Sequence, residues 1–129
     1  MVAHGTIAFD TLTTSDQANT GTEKSIDTSY LFNGSAKGWL NGASDASING
    51  SFGFSSGVDN GTGDYSYNLT NAMGSDNNSV VNMNPRSAQD RAGPATFNSV
   101  SQVLVHVYDI SSQAVNDGGV NVTVQGELA

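Results

Sequence analysis

The residues of this chain with the clearest potential for chemistry lie in residues 59–64, where Asp59 and Asp64 flank an asparagine, a threonine and two glycines. Closely spaced carboxylate and amide oxygens are the ligands that Ca²⁺ prefers. An EF-hand loop needs more carboxylates and a glutamate at its end, and this segment has neither. Because Asn60-Gly61 is a strong turn dipeptide, the segment is predicted to be a tight hairpin turn rather than a metal site.

The two histidines are the next candidates for metal ligands. His4 and His106 are far apart in the sequence, and neither has a second histidine or a cysteine at ligand spacing. A zinc site needs three or four ligands, so no metal site within one chain is expected. His106 alternates with Leu104 and Tyr108, which predicts a packed or interface side chain. The alternative is a site on the axis of a symmetric trimer, where three copies of one histidine meet.

Residues arranged for catalysis are harder to find. Serines are abundant, but no Gly-x-Ser-x-Gly elbow lies between a strand and a helix. Two carboxylates that are distant in the sequence can still cooperate in glycoside hydrolysis. Many of the acidic residues, however, sit beside Gly, Asn and Ser, where carboxylates usually serve turns. We therefore expect a protein that is not an enzyme, with no catalytic residue and no cofactor.

The aromatic side chains favour binding or packing. Aromatic rings can stack on sugars, and Tyr30 could join such a surface, but aromatics make up only 8% of the chain. A small β core needs most of them, so packing in the core or at a subunit contact is favoured over a sugar-stacking surface. The candidate binding or interface residues are Trp39, Tyr65, Tyr67, His106 and Tyr108.

The charge of the chain excludes two classes of partner. The formal net charge is −8, and only four residues are Lys or Arg. Nucleic-acid binding depends on Lys and Arg that neutralise phosphates, and an anionic membrane surface would repel this chain. No apolar run approaches the roughly 18 residues of a membrane-spanning helix, and the absence of cysteine excludes disulfides. Neither nucleic acid nor a membrane is therefore an expected partner.

The elements that must position these residues are short strands. Apolar residues alternate with polar ones in residues 46–55, 65–69 and 120–128, and the period of two is typical of half-buried strands. In residues 102–109 both faces are largely apolar, which predicts a central strand covered on both sides. The sequence therefore predicts an all-β protein, an antiparallel β-sandwich of jelly-roll type over residues 29–129. Residues 1–28 are too polar to fold alone and are predicted to form an extended N-terminal arm, or else a flexible leader.

Three segments together resemble a family, the small β domains in tail fibres and related virion proteins of bacteriophages, marine phages in particular. Residues 37–40 (KGWL) resemble the K-A-W-V of the first strand, and residues 59–65 (DNGTGDY) match the D-N-G-T-G-D-Y turn. Residues 68–73 (NLTNAM) are similar to the N-F-T-T-A-M that follows, and residues 120–128 look like the closing strand. The resemblance extends from about residue 29 to the C-terminus.

The resemblance implies a virion structural protein on the surface of a phage particle. It would be a short tail fibre or receptor-binding-type protein that works as a homo-oligomer, as a trimer. The arm, residues 2–28, would attach to another virion protein or pair with a neighbouring subunit, and a host glycan or protein would be a further partner. A capsid decoration or head-fibre protein is the alternative within this class. A carbohydrate-binding module is the alternative from another class.

Overall fold

The structure, a computed structural model, describes residues 11–13, 25–86 and 90–129. One helix and twelve strands lie in these residues, and most of the strands are only two to six residues long. In chain order they are β1 (Thr11–Thr13), β2 (Ser25–Asp27), α1 (Thr28–Gly34), β3 (Ala36–Gly42), β4 (Ile48–Phe52), β5 (Phe54–Gly61), β6 (Asp64–Leu69), β7 (Val80–Pro85), β8 (Arg91–Ala92), β9 (Ala95–Ser99), β10 (Gln102–His106), β11 (Tyr108–Asp109) and β12 (Val120–Gln125).

The chain divides into two compact units, and the boundary lies between Ser35 and Ala36. The sequence placed the boundary between residues 28 and 29, which falls within α1, after its first residue. Most of the predicted arm lies outside the described residues. Within the first unit, β1 pairs antiparallel with β2, and the Asp27 carboxylate caps α1 by accepting a hydrogen bond from the Ser29 N–H at 2.7 Å. No residue of α1 is buried.

The second unit is an antiparallel β-sandwich, which confirms the predicted all-β fold class. One sheet has the strand order β4-β3-β12-β7 and the other has the order β5-β6-β10-β9. A two-stranded sheet joins β8 to β11. The core between the large sheets is formed by valines of β10 and β12, by Leu40, and by aromatic residues of β5 and β6. The strand predicted to be central over residues 102–109 is confirmed as β10, which has β6 and β9 as neighbours, but it ends at His106 and its outer face is only half-buried. Strand β12 has one buried and one more exposed face, as predicted.

Two glycines on the inner face of β3 make room for aromatic rings of the opposite sheet. A Cβ on Gly38 would lie 3.0 Å from the Phe54 ring, and a Cβ on Gly42 would collide with the Tyr67 hydroxyl. Leu40 lies between these glycines and is itself buried. The short distance between the sheets at β3 therefore depends on the pattern Gly-x-Leu-x-Gly.

Gly53 moves the chain from one sheet to the other. It has φ of +76°, and a Cβ there would collide with the carbonyl of Lys37. The sequence predicted one continuous half-buried strand over residues 46–55, with a bulge or close backbone approach at its glycines. The close approach is confirmed at Gly53, but the chain forms two strands, β4 and β5, in different sheets. Phe52 before the bend is consequently exposed, whereas Phe54 after it is buried.

Candidate binding face

Strand β3 points its residues alternately into the sandwich and out of it. Gly38, Leu40 and Gly42 are buried, whereas Lys37, Trp39 and Asn41 occupy the alternate positions on the outer side. Trp39, the only tryptophan in the chain, is 49% exposed. The predicted packing of Trp39 in the core is therefore not what the structure shows, although a subunit contact through its exposed ring stays a prediction.

Phe52 stands directly opposite Trp39 on the neighbouring strand and is 60% exposed. Gly50 lies diagonally across from Trp39, and two atoms of the indole ring, Cζ3 and Cη2, lie 3.8 and 3.9 Å from the position of a Cβ on Gly50. The indole therefore lies over the backbone of β4 at Gly50, at ordinary van der Waals distance from that position. The result is an outward aromatic pair, Trp39 and Phe52, on a hydrogen-bonded sheet.

Asparagine side chains form a row beside the aromatic pair. Asn121 of β12 is the register partner of Asn41 on one side and of Asn84 on the other. The Asn41 Oδ1 atom accepts hydrogen bonds from Asn49 Nδ2 at 3.2 Å and from Arg86 Nη1. These bonds hold the Asn41 amide and the Arg86 guanidinium together on the outer side of the sheet.

A second row of side chains runs from the aromatic pair across β12 to β7. Thr123 of β12 is the register partner of both Trp39 and Asn82. We name the outer side of the sheet β4-β3-β12-β7 the binding face. Its members are Lys37, Trp39, Asn41, Asn49, Phe52, Val80, Asn82, Asn84, Arg86, Asn121, Thr123 and Gln125.

Charge is distributed unevenly between the two large sheets. The four strands of the binding face contain Lys37 but no Asp or Glu, and Arg86 follows directly after β7. The strands of the opposite sheet carry Asp59 and Asp64. In a chain of net charge −8 the binding face is therefore locally basic.

His106 lies on the outer side of the opposite sheet, away from the binding face. Its Nε2 atom is 3.7 Å from Asp64 Oδ2, and the two residues are cross-strand partners. Asp64 Oδ1 also accepts a hydrogen bond from Asn60 Nδ2 at 3.2 Å. Within the described residues, no three or more His, Asp or Glu side chains are grouped so that they could hold a metal ion.

Tyr65 and Tyr67 are fully buried, so the predicted packing face of the hairpin lies in the core. The Tyr65 hydroxyl accepts a hydrogen bond from the Gly118 N–H at 3.1 Å and lies 3.0 Å from the Ser44 carbonyl and 3.2 Å from Asp117 Oδ1. The Tyr67 hydroxyl has no hydrogen-bond partner among the described residues. Burial raises the pKa of both phenols, that of Tyr67 to about 12.

Tyr108 is half-buried on β11, opposite Ala92, and lies near a salt bridge. Arg91 Nη1 donates to Asp109 Oδ2 at 3.0 Å. Asp109 Oδ1 accepts from the hydroxyls and N–H groups of Ser111 and Ser112. The bond from the Ser111 hydroxyl is the main reason why the pKa of the Asp109 carboxyl is lowered. These contacts hold the loop after β11 in place, and they do not extend to Trp39.

The turn between β5 and β6 is also tied into the fold. Gly61 pairs with Asp64, so the turn residues are Thr62 and Gly63, two positions beyond the predicted Asn60-Gly61. The Gly63 N–H donates to Asp117 Oδ1 at 2.8 Å, and the Gly63 carbonyl accepts from the Val107 N–H at 2.7 Å. The two carboxylates suggested by the sequence also accept hydrogen bonds within the hairpin, Asp59 Oδ1 from the Gly61 N–H at 2.9 Å and Asp64 Oδ1 from Asn60 Nδ2.

Sequence reasoning missed Phe52, the asparagine row and Arg86. Phe52 appeared to continue one alternating strand with Phe54, and only the bend at Gly53 separates their faces. The asparagines of β3, β7 and β12 are far apart in the sequence, so their register cannot be read from local patterns. The absence of acidic residues from these strands was a visible signal, because the rest of the chain is acidic.

Comparisons with known proteins give no relative: no protein-family model, no curated protein and no solved structure matches this chain. The resemblance to phage fibre domains therefore stays a prediction. No helix among the described residues is long and apolar enough to cross a membrane.

Proposed function

We propose that this chain is a structural protein of the bacteriophage particle surface, a short tail fibre or receptor-binding-type protein that acts by binding and assembly. The observation that carries the proposal is the outward aromatic pair, Trp39 and Phe52. Exposed aromatic patches on a rigid sheet usually mark a surface that another molecule covers. The motifs behind the phage resemblance fall on β3, the β5–β6 hairpin and β12, and β3 and β12 carry much of this face.

The first unit supplies the attachment. Tyr30 and Phe32 of α1 are 73% and 65% exposed, and Ile26 and Leu31 are also exposed. A seven-residue helix with no buried residue gains little from its own hydrogen bonds, so burial of these side chains against copies of the chain would stabilise it. Three copies meeting through α1 would form a homotrimer, and residues 2–28, which lie mostly outside the described residues, would dock on another virion protein.

Light scattering of the full chain after size exclusion tests the assembly. The mass expected is that of three chains of 13.3 kDa. Replacing Tyr30 and Phe32 together by serine should give a monomer, because it removes the two most exposed rings of α1. The matched control replaces Ile110 and Val115 by serine, since these residues of the sandwich are 53% and 60% exposed and lie outside α1. A monomeric wild-type chain would contradict the trimer.

Location on the particle separates two forms of the proposal. A short tail fibre or receptor-binding protein places the sandwich at the tail, whereas a decoration or head-fibre protein places it on the capsid. Gold-labelled antibodies against the sandwich, applied to intact particles and viewed by electron microscopy, distinguish the two. Particles that carry the gene but take up no label would contradict both forms.

A carbohydrate-binding module is the second candidate function. The aromatic pair beside an asparagine row favours it, because aromatic rings and amides together suit sugars. Such a module would bind sugar as a monomer and would need no partner at α1. The mass of the full chain therefore separates the two functions: a saturable sugar-binding monomer supports the module, and a trimer supports the virion protein.

A further inference from the structure

The binding face combines the two kinds of contact that a sugar ring offers. A pyranose has an apolar C–H side and a rim of hydroxyl groups. The indole of Trp39 lies over Gly50 and provides a flat apolar surface, with Phe52 beside it. The amides of Asn41 and Asn121 follow on the next row. The Asn121 amide can donate to and accept from hydroxyls, and Asn41 can donate through Nδ2, since its Oδ1 already accepts two bonds.

The positive charge of the face narrows the class of sugar. Arg86 is held on this face by its bond to Asn41 Oδ1, and Lys37 stands two residues before Trp39 on the same side of β3. Arg91 lies outside this face, on β8, where it is half-buried and paired with Asp109. A guanidinium matches the geometry of a carboxylate, which it can bind through two parallel hydrogen bonds. The acidic remainder of the chain would repel an anion, so an anionic ligand would be steered to this face.

We propose that the binding face is a site for an acidic saccharide. The sugar ring stacks on Trp39 with its edge against Phe52, its hydroxyls bond to the asparagine row, and its carboxylate pairs with Arg86. This inference deepens the proposed function and rests on it, because it names the class of host-surface ligand that the virion protein would contact.

A second copy of the chain fits this face less well. A two-fold contact places the same patch of both subunits together. Arg86 and Lys37 would then lie close to their own counterparts, and like charges brought together in an interface are unfavourable. The apolar part of the face is also small. It consists of Trp39 and Phe52 with Val80 on the far strand, while the rest is amide, hydroxyl and positive charge. An anionic, hydroxyl-rich ligand satisfies both parts.

Tryptophan emission of the full chain tests the site directly, because Trp39 is the only tryptophan. The probes are two carboxylated saccharides, tetragalacturonate and sialyllactose, each with a neutral counterpart, the methyl ester of tetragalacturonate and lactose. At least one acidic probe should shift the emission saturably and bind about tenfold more tightly than its neutral counterpart, the gain expected from one charge-assisted pair. Binding of tetragalacturonate indicates a uronate ligand, and binding of sialyllactose indicates a sialate ligand. Absence of a shift with both acidic probes, or equal binding of acidic and neutral probes, overturns the proposal.

Variants locate the site by calorimetry. Trp39→Ala should weaken binding of the acidic probe by about thirtyfold or more, the loss typical of a central interface residue. Arg86→Gln should remove the preference for the acidic probe over the neutral one. His106→Gln, on the opposite sheet, is the matched control and should bind as the wild type does. Trp39→Ala or Arg86→Gln binding as tightly as the wild type overturns the proposal.

The result for saccharide binding can be distinguished from the result for trimer formation and location on the particle. Trimer formation depends on α1, and the position on the particle does not depend on Trp39. A trimer that labels on particles but binds neither acidic probe overturns the saccharide site alone. A monomer that binds the acidic probe supports the saccharide site and contradicts the virion assembly.

Discussion

Two tyrosines of β6, two residues apart, differ in the hydrogen bonding of their hydroxyl groups. Tyr65 and Tyr67 are both fully buried and face the core. The Tyr65 hydroxyl bonds to the Gly118 N–H, whereas the Tyr67 hydroxyl meets the space above Gly42 and has no partner among the described residues. A buried hydroxyl without a partner loses its bonds to water and gains nothing in return.

Removing each hydroxyl should therefore have opposite effects. Tyr65→Phe leaves the buried Gly118 N–H unpaired, so the free energy of unfolding should fall by about 1–3 kcal/mol. Tyr67→Phe should leave the free energy of unfolding unchanged or raise it by up to about 1 kcal/mol. Urea titration followed by circular dichroism measures both. A loss for Tyr67→Phe as large as that for Tyr65→Phe would contradict the assignment of an unpaired hydroxyl.

Asp109 makes stability depend on acid pH. The pKa of the Asp109 carboxyl is lowered in the folded chain, mainly by the bond from the Ser111 hydroxyl. As the pH falls toward the ordinary value of 3.8, the unfolded chain therefore takes up the proton before the folded chain does. The contribution of Asp109 is therefore present above about pH 4 and is lost as the pH falls. Asp109→Asn should lower the free energy of unfolding at pH 6 and reduce its decline between pH 5 and pH 2. Asp76→Asn, in an exposed loop, is the control, and an unchanged decline in Asp109→Asn would refute the role of Asp109.

At the scale of the elements, the turn between β5 and β6 depends on Gly63. This residue has φ of +65°, and a Cβ there would collide with the Val107 carbonyl and lie 2.8 Å from the Asn116 carbonyl oxygen. Glycine adopts a positive φ without the steric cost that a Cβ brings. The turn can therefore close onto residues 107–117 only while position 63 carries no side chain.

Alanine at two glycines should separate a required glycine from a tolerant one. Gly63→Ala should lower the free energy of unfolding by about 2 kcal/mol or more, from backbone strain and the collision with Val107. Gly50→Ala, within β4, should change it by less than about 1 kcal/mol and in the stabilising direction, because a Cβ there meets only the Trp39 ring at 3.8 Å. Thermal melting of both variants measures the difference. Similar melting temperatures would contradict the proposed role of the turn.

The strands were largely predictable from the sequence, because a period of two is a local signal. Val120, Val122 and Val124 alternate with polar residues, and β12 has its valines in the core. The bend at Gly53 was harder to predict, because glycine in a strand signals a bulge, a bend or a close approach equally well. Helix α1 was not predicted, since seven residues without a buried face leave no helical period in the sequence.

The candidate site was less predictable than the fold. Trp39 was identified from its residue type, but a lone tryptophan in a small β protein is expected to pack inside. Trp39 is exposed because Gly38 and Gly42 occupy the inner face of β3, where the rings of the opposite sheet leave no space for a side chain. Trp39 alternates with them and therefore points outward. The neighbours that make Trp39 part of a site, Asn121 and Arg86, reach it only through strand register and a long-range hydrogen bond.

In the whole molecule, the described hydrophobic core lies in one unit, and we propose that attachment belongs to the other. Among the residues that the structure describes, those of the hydrophobic core all lie between Leu40 and Val124, in the second unit. The first unit contributes exposed apolar side chains on α1 instead. We therefore expect the sandwich to fold by itself, and we propose that the first unit associates through the exposed side chains of α1.

A protein of residues 36–129 should accordingly fold as a monomer. It keeps the whole core, so its circular dichroism should show β structure and it should melt in one cooperative transition. It lacks α1, so light scattering should give the mass of one chain. A broad transition would contradict an autonomous sandwich, and a trimer of this shortened protein would place the subunit contact on the sandwich.

We propose that the chain is displayed on a phage particle with its binding face available to a host. A three-dimensional reconstruction of the particle by electron microscopy tests this claim most directly. We expect threefold clusters of the sandwich on the outer surface, with the sheet β4-β3-β12-β7 and Trp39 turned toward the solvent. Particles that lack this density would contradict the proposed display on the particle. Particles that bury the binding face against another virion protein would contradict its proposed contact with a host.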